Sequence, residues 1–117
     1  MARARWLLQH HFGYPDFRPA QAEVLASIFS GRDTLAILPT GGGKSICFQV
    51  PAVVLGGLTV VVSPLISLMQ DQVDAARARG LAAGCLNSSL GIAERESVWL
   101  SISDGSLRLL YVSPERL

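Results

Sequence analysis

Thr34-Leu35-Ala36-Ile37-Leu38-Pro39-Thr40-Gly41-Gly42-Gly43-Lys44-Ser45-Ile46-Cys47-Phe48 joins a short apolar run, a glycine-rich turn and a second apolar run. The first run, bounded by Asp33 and Pro39, reads as a buried strand. From Lys44 to about Leu55 the pattern reads as helix, with Pro51 marking a kink or an early stop. A helix that begins after a loop leaves backbone N–H groups unpaired and pointing outward, and its dipole adds partial positive charge there. Such a place binds anions. Gly41, Gly42 and Gly43 let the backbone curl closely around phosphates, where any Cβ would intrude. Lys44 is then placed for β- and γ-phosphates, and the Ser45 hydroxyl for Mg²⁺. The strict pattern G-x-x-x-x-G-K-[ST] wants glycine at position 38, where this chain has Leu38, while Gly43-Lys44-Ser45 is intact. The plain alternative is a glycine turn that happens to precede Lys-Ser. The flanking strand and helix weigh against it.

Outward from the loop, helical and strand signals alternate. Trp6 to Phe12 reads as a short helix ending before Gly13. Pro19 suits a first helical position and Gly31 a position just past a helix end, with Val24, Leu25, Ile28 and Phe29 on one face between them. Leu58 to Val62 is β-branched and reads as a buried strand. Leu65, Leu68, Met69, Gln72, Val73 and Ala76 mark an amphipathic helix ending at Gly80. Ala82 to Leu86 is a weaker strand. Asn87, Ser88 and Ser89 offer caps for a helix through Val98 and Leu100, closed by Asp104-Gly105, and Leu107 to Val112 is a further strand. Strands alternating with helices predict an α/β fold, a parallel sheet covered on both faces. The chain ends just after that strand, at a Pro114-Glu115-Arg116-Leu117 that reads as the start of another element, so a truncated domain is expected.

Composition excludes several classes. Of 117 residues 50% are hydrophobic and 16% charged, with a net charge of +1, which argues against disorder and against a globally basic nucleic-acid binder. Any nucleic-acid contact must be local. Cys47 and Cys85 lack metal-site spacing and read as buried, reduced thiols. No apolar run approaches membrane-spanning length, and the N-terminus lacks the apolar stretch of a signal peptide, so a cytoplasmic protein without a membrane partner is expected. Nine arginines stand against one lysine, and that lysine is Lys44.

Read together, Phe12-Gly13-Tyr14, Phe17-Arg18-Pro19-Ala20-Gln21, Pro39 to Ser45, Ser63 to Val73, Leu86-Asn87-Ser88 and Tyr111 to Leu117 closely resemble the RecQ family of superfamily 2 DNA helicases. The likeness runs from about Phe12 to Leu117. In this superfamily the phosphate loop is commonly Pro-Thr-Gly-x-Gly-Lys-[Ser/Thr], so Leu38 fits. The resemblance implies a RecA-like P-loop NTPase fold, with residues 1–117 as the N-terminal part of the first motor domain, cut before its Walker B strand. It implies that ATP and Mg²⁺ are held by Thr40, Gly41, Gly42, Gly43, Lys44 and Ser45, with Ser45 as the metal ligand and Lys44 and Ser45 in catalytic roles. Tyr14, Arg18 and Gln21 match the family's adenine-recognition motif: a ring or guanidinium can stack on the base, and an amide offers one donor and one acceptor. Core packing is the alternative for Tyr14 and Phe17, and a solvated helix position for Gln21. Ser63, Pro64 and Leu65 match the first DNA-contact motif at the C-terminal end of a parallel strand. Arg116 matches a second, while Gln70 and Gln72 read more readily as solvent-exposed.

The family's Asp-Glu-Ala-His motif, its aromatic-rich loop and the second motor domain with its arginine finger have no counterpart among these residues. The resemblance therefore implies an intact ATP-dependent DNA helicase, moving 3′ to 5′ in repair and recombination, of which this segment supplies the cradle. Its partners would be DNA and, in cis, the second motor domain. Two rivals remain at this point: another P-loop ATPase or kinase acting on a small molecule, and a non-catalytic nucleic-acid-binding module.

Overall fold

The computed structural model describes residues 2–38, 43–87 and 90–116, with the side chain of Arg116 outside the description. It divides into two compact units, Met1–Leu55 and Gly56–Leu117.

The first unit is helical. Helix α1 (Ala2–Leu7) runs on into a π-helical turn at Leu8–Phe12, and is followed by α2 (Pro19–Phe29) and α3 (Ile46–Leu55). Pro19 opens α2, as its fixed φ and missing N–H allow. An arginine side chain has no acceptor, so Arg18 can supply only its backbone to the cap, and Gln21 Oε1 accepts the Arg18 N–H at 2.9 Å. At the other end the Gly31 N–H reaches Ile28 O at 3.0 Å. The core is Ala4, Leu8, Leu25, Ile46 and Val50, with Phe12, Phe17, Phe29 and Val54 packed against it. Pro51 does not stop α3, which continues to Leu55.

Thr34 to Leu38 is not a strand. It has no ladder partner among the described residues, and Leu35 and Ile37 are 90% and 89% exposed. Apolar composition alone cannot hold a strand, because its stability comes from cross-strand hydrogen bonds and a covered face.

The second unit is a three-stranded parallel sheet, β1 (Thr59–Val62), β2 (Ala83–Leu86) and β3 (Leu109–Val112), in the order β1-β3-β2. Helices α4 (Ile66–Ala78) and α5 (Ile92–Ser103) make the crossovers, and a 3₁₀ turn at Pro114–Arg116 follows β3. The chain steps outward from β1 to β2 and back to β3. Right-handed crossovers in opposite directions put their helices on opposite faces. Leu86, Leu110 and Val112 accordingly form a cluster with Leu107, joined by Val98 and Ile102 of α5. Met69, Val73 and Ala76 are the buried residues of α4.

The expectation that Leu58 to Val62 is a buried strand fails on one face. Val60 and Val62 are 48% and 49% exposed. The register pairs them with Leu110 and Val112, on the face that α5 covers. Helix α5 packs over β2, and the outer strand β1 keeps this face half exposed.

Candidate nucleotide and strand-contact sites

In the first unit the segment before α2 is shaped by Asp16, whose Oδ1 accepts the Phe17 N–H at 2.8 Å and pairs with Arg5 Nε at 3.2 Å. The backbone N–H, and then the Arg5 guanidinium, hold this carboxyl below its ordinary value. The Phe17 ring packs on the core, Tyr14 is exposed at 46%, and Arg18 is exposed at the start of α2. Of the three residues matched to adenine recognition, Tyr14 and Arg18 thus present surfaces on which a base could stack. Gln21 does not sit as a solvated helix residue. It is 3% exposed, and its Nε2 donates to Gly43 O at 3.3 Å.

Pro39, Thr40, Gly41 and Gly42 lie outside the described residues; the last part of the loop is within them. Gly43 has φ +76°, a left-handed conformation that a Cβ would strain, and a Cβ there would also collide with Gln21 Nε2. Lys44 and Ser45 form the turn that enters α3, and both are exposed. The Ser45 carbonyl accepts the first helical bond, from Gln49 N–H at 2.9 Å. The lysine and the hydroxyl therefore stand at a helix N-terminus, where backbone N–H groups face outward. Such a charge, hydroxyl and close-packed glycine fit a triphosphate with its Mg²⁺. One participant was not anticipated: Cys47, one turn after Gly43, places Sγ 3.9 Å from Gly43 O, and burial raises its thiol above the ordinary value. The i to i+4 spacing was the available signal.

In the second unit the matched strand-contact motifs come together. β1 and β3 are parallel neighbours, and Ser63 and Ser113 follow their C-terminal ends. The Ser63 N–H donates to Val112 O at 3.0 Å and the Ser113 N–H to Leu86 O at 3.4 Å, so each ladder continues one residue past its strand. Ser63 Oγ accepts the Leu65 N–H at 3.2 Å, which leaves its own proton to give. Pro64 and Leu65 are exposed. Ser113 is wholly buried, and its Oγ has no partner among the described residues. Arg116 is placed by its backbone in the 3₁₀ turn just beyond. On α4, Gln70 is exposed and donates to Asp74 Oδ1 at 2.8 Å, whereas Gln72 is half-buried with a buried Oε1, unlike the exposed position expected of it. Unforeseen as well was an open groove of about 470 Å³ between α4 and α5, floored by Cys85.

A glycine loop entering a helix, and two serines at neighbouring C-terminal strand ends, define a P-loop type of α/β domain. The sequence model of DEAD/DEAH box helicases matches residues 18–117, and the chain belongs to that family. Within it the chain is similar to the ATP-dependent DNA helicase RecQ of Synechocystis, 51% identical over 110 residues that are 94% of this chain and 23% of that protein. The Haemophilus influenzae protein of the same name is 48% identical over 95% of this chain and 18% of its own length. The RecQ-like DNA helicase blm-1 of Caenorhabditis elegans is 42% identical over 94% of this chain and 11% of its own. The chain spans less than a quarter of the length of these relatives. No helix among the described residues is long and apolar enough to cross a membrane.

Proposed function

We propose that this chain is the nucleotide-binding front part of an ATP-dependent DNA helicase of RecQ type, acting inside the cell. The carrying observation is Lys44 and Ser45, exposed together at the N-terminus of α3 immediately after a left-handed Gly43. In this reading Thr40 to Ser45 hold the phosphates, Lys44 neutralises charge on the β- and γ-oxygens, and Ser45 is the chain's ligand to Mg²⁺. The metal supplies charge neutralisation at the γ-phosphate when bound. Tyr14 and Arg18 flank the base, with Gln21 beside them. Ser63, Pro64, Leu65 and Arg116 hold the backbone of a DNA strand at the C-terminal edge of β1 and β3, where open parallel sheets collect their ligands. Such contacts position a strand without reading its sequence, which suits a motor.

Hydrolysis also needs an acidic group to complete the metal site and orient water, and a cation against the γ-phosphate in the transition state. We assign those to segments beyond these motifs, including a second motor domain in cis. The RecQ likeness supports the further reading of movement 3′ to 5′ and of work in repair and recombination. In the full-length protein, ATP turnover should rise strongly with single-stranded DNA. A turnover indifferent to DNA but raised by a small-molecule acceptor would favour the kinase-like alternative.

A further inference from the structure

The Gln21 amide has both ends in use. Its Oε1 accepts the N–H of Arg18 at 2.9 Å, and its Nε2 donates to the carbonyl of Gly43 at 3.3 Å. With 3% of its surface exposed, the side chain has little edge left for a base. The same carbonyl lies 3.9 Å from Cys47 Sγ, so the two lone pairs of one oxygen face two donors, one from α2 and one from α3. The contact is close: a Cβ on Gly43 would meet Gln21 Nε2, so glycine at this place makes room for Gln21 as well as for a phosphate.

We propose that Gln21 is a positioning residue for the phosphate loop, fixing the Gly43 carbonyl so that the turn at Lys44 and Ser45 is formed before any base arrives. The proposal rests on the reading of Thr40 to Ser45 as a triphosphate cradle. It goes beyond adenine recognition, because its effect must appear with a ligand that has no base. Fixing a loop in its bound shape raises affinity by removing an ordering cost from the binding step.

The test uses the full-length protein and inorganic tripolyphosphate, competed against a fluorescent ATP analogue, beside the matching GTP analogue. Gln21→Glu keeps an oxygen for the Arg18 N–H, and so keeps the helix start, but removes the donor to Gly43. Loss of one hydrogen bond predicts tripolyphosphate binding about three- to tenfold weaker, in Gln21→Asn, which adds no charge, as well as in Gln21→Glu. Unchanged tripolyphosphate binding, with only the preference for ATP over GTP lost, would overturn the proposal and leave Gln21 as a base reader. Should Gln21→Glu unfold the protein, Gln21→Asn, uncharged and one methylene short of Gly43, carries the same test. Lys44→Ala separates the two layers. If it abolishes tripolyphosphate binding while the Gln21 variants leave that binding intact, the cradle stands and the proposal falls. If it leaves tripolyphosphate binding intact, the cradle reading falls and the proposal with it.

Discussion

At the scale of single residues, the proposed phosphate cradle gives Lys44 and Gln21 separate roles. A charge-assisted hydrogen bond is stronger than a neutral one, so Lys44→Ala should weaken ATP binding by roughly 10- to 100-fold, measured by titration with a fluorescent analogue. Lys44→Arg should recover only part of that, since a planar guanidinium does not replace a compact ammonium in a close cradle. Asp16 carries a pH dependence. Its carboxyl is lower in the fold than in the unfolded chain, so its contribution is present above the ordinary carboxylate value near about 4 and is lost as pH falls through the lower folded value. Asp16→Asn should therefore lower stability slightly at neutral pH and flatten the acid-side slope in pH-dependent melts, the two proteins converging at low pH. The left-handed Gly43 and the helix start just after Lys44 and Ser45 were legible in the sequence, because backbone chemistry favours glycine at such a turn. The double engagement of Gln21 was not, since a hydrogen bond spanning 22 positions leaves no periodic trace.

At the scale of elements, the ends of α2 were readable and covers were not, and the cap expected for α5 at Asn87 to Ser89 falls instead at Gly91, which offers no side chain. Pro19 and Gly31 bracket α2 as their local chemistry requires, and the three strands of the sheet fall within the runs expected for them. Thr34 to Leu38 and the exposed face of β1 departed from expectation for one reason. Whether an apolar run is paired and buried depends on which neighbour the topology brings, and the run does not encode that. The turn between α3 and β1 offers a local check. Gly56 has φ +77°, the adjacent Gly57 does not have a positive φ, and a Cβ at either meets open space. Gly56→Ala should destabilise by about 1–2 kcal/mol through backbone strain alone. Gly57→Ala should be neutral or stabilising by up to about 1 kcal/mol, through the unfolded state. Denaturant melts would show Gly56→Ala less stable than the wild type and Gly57→Ala no less stable than it.

At the scale of the whole molecule, the half-exposed face of β1 and the outward apolar residues of α5, Ile92, Trp99 and Leu100, leave the 117-residue chain with uncovered apolar surface. Expressed by itself it should self-associate, and Val60→Lys with Val62→Lys should lower the associated fraction in light scattering. A monomeric wild-type chain with a cooperative melt would contradict this. The same 117 residues should bind nucleotide poorly and turn it over hardly at all. The proposed activity is DNA-stimulated ATP hydrolysis by the full-length protein. Its most direct test is ATP hydrolysis by the full-length protein with and without single-stranded DNA, in the wild type and in Lys44→Ala. The prediction is turnover strongly stimulated by DNA and lost in Lys44→Ala; turnover that ignores DNA, or that survives the loss of Lys44, would contradict it.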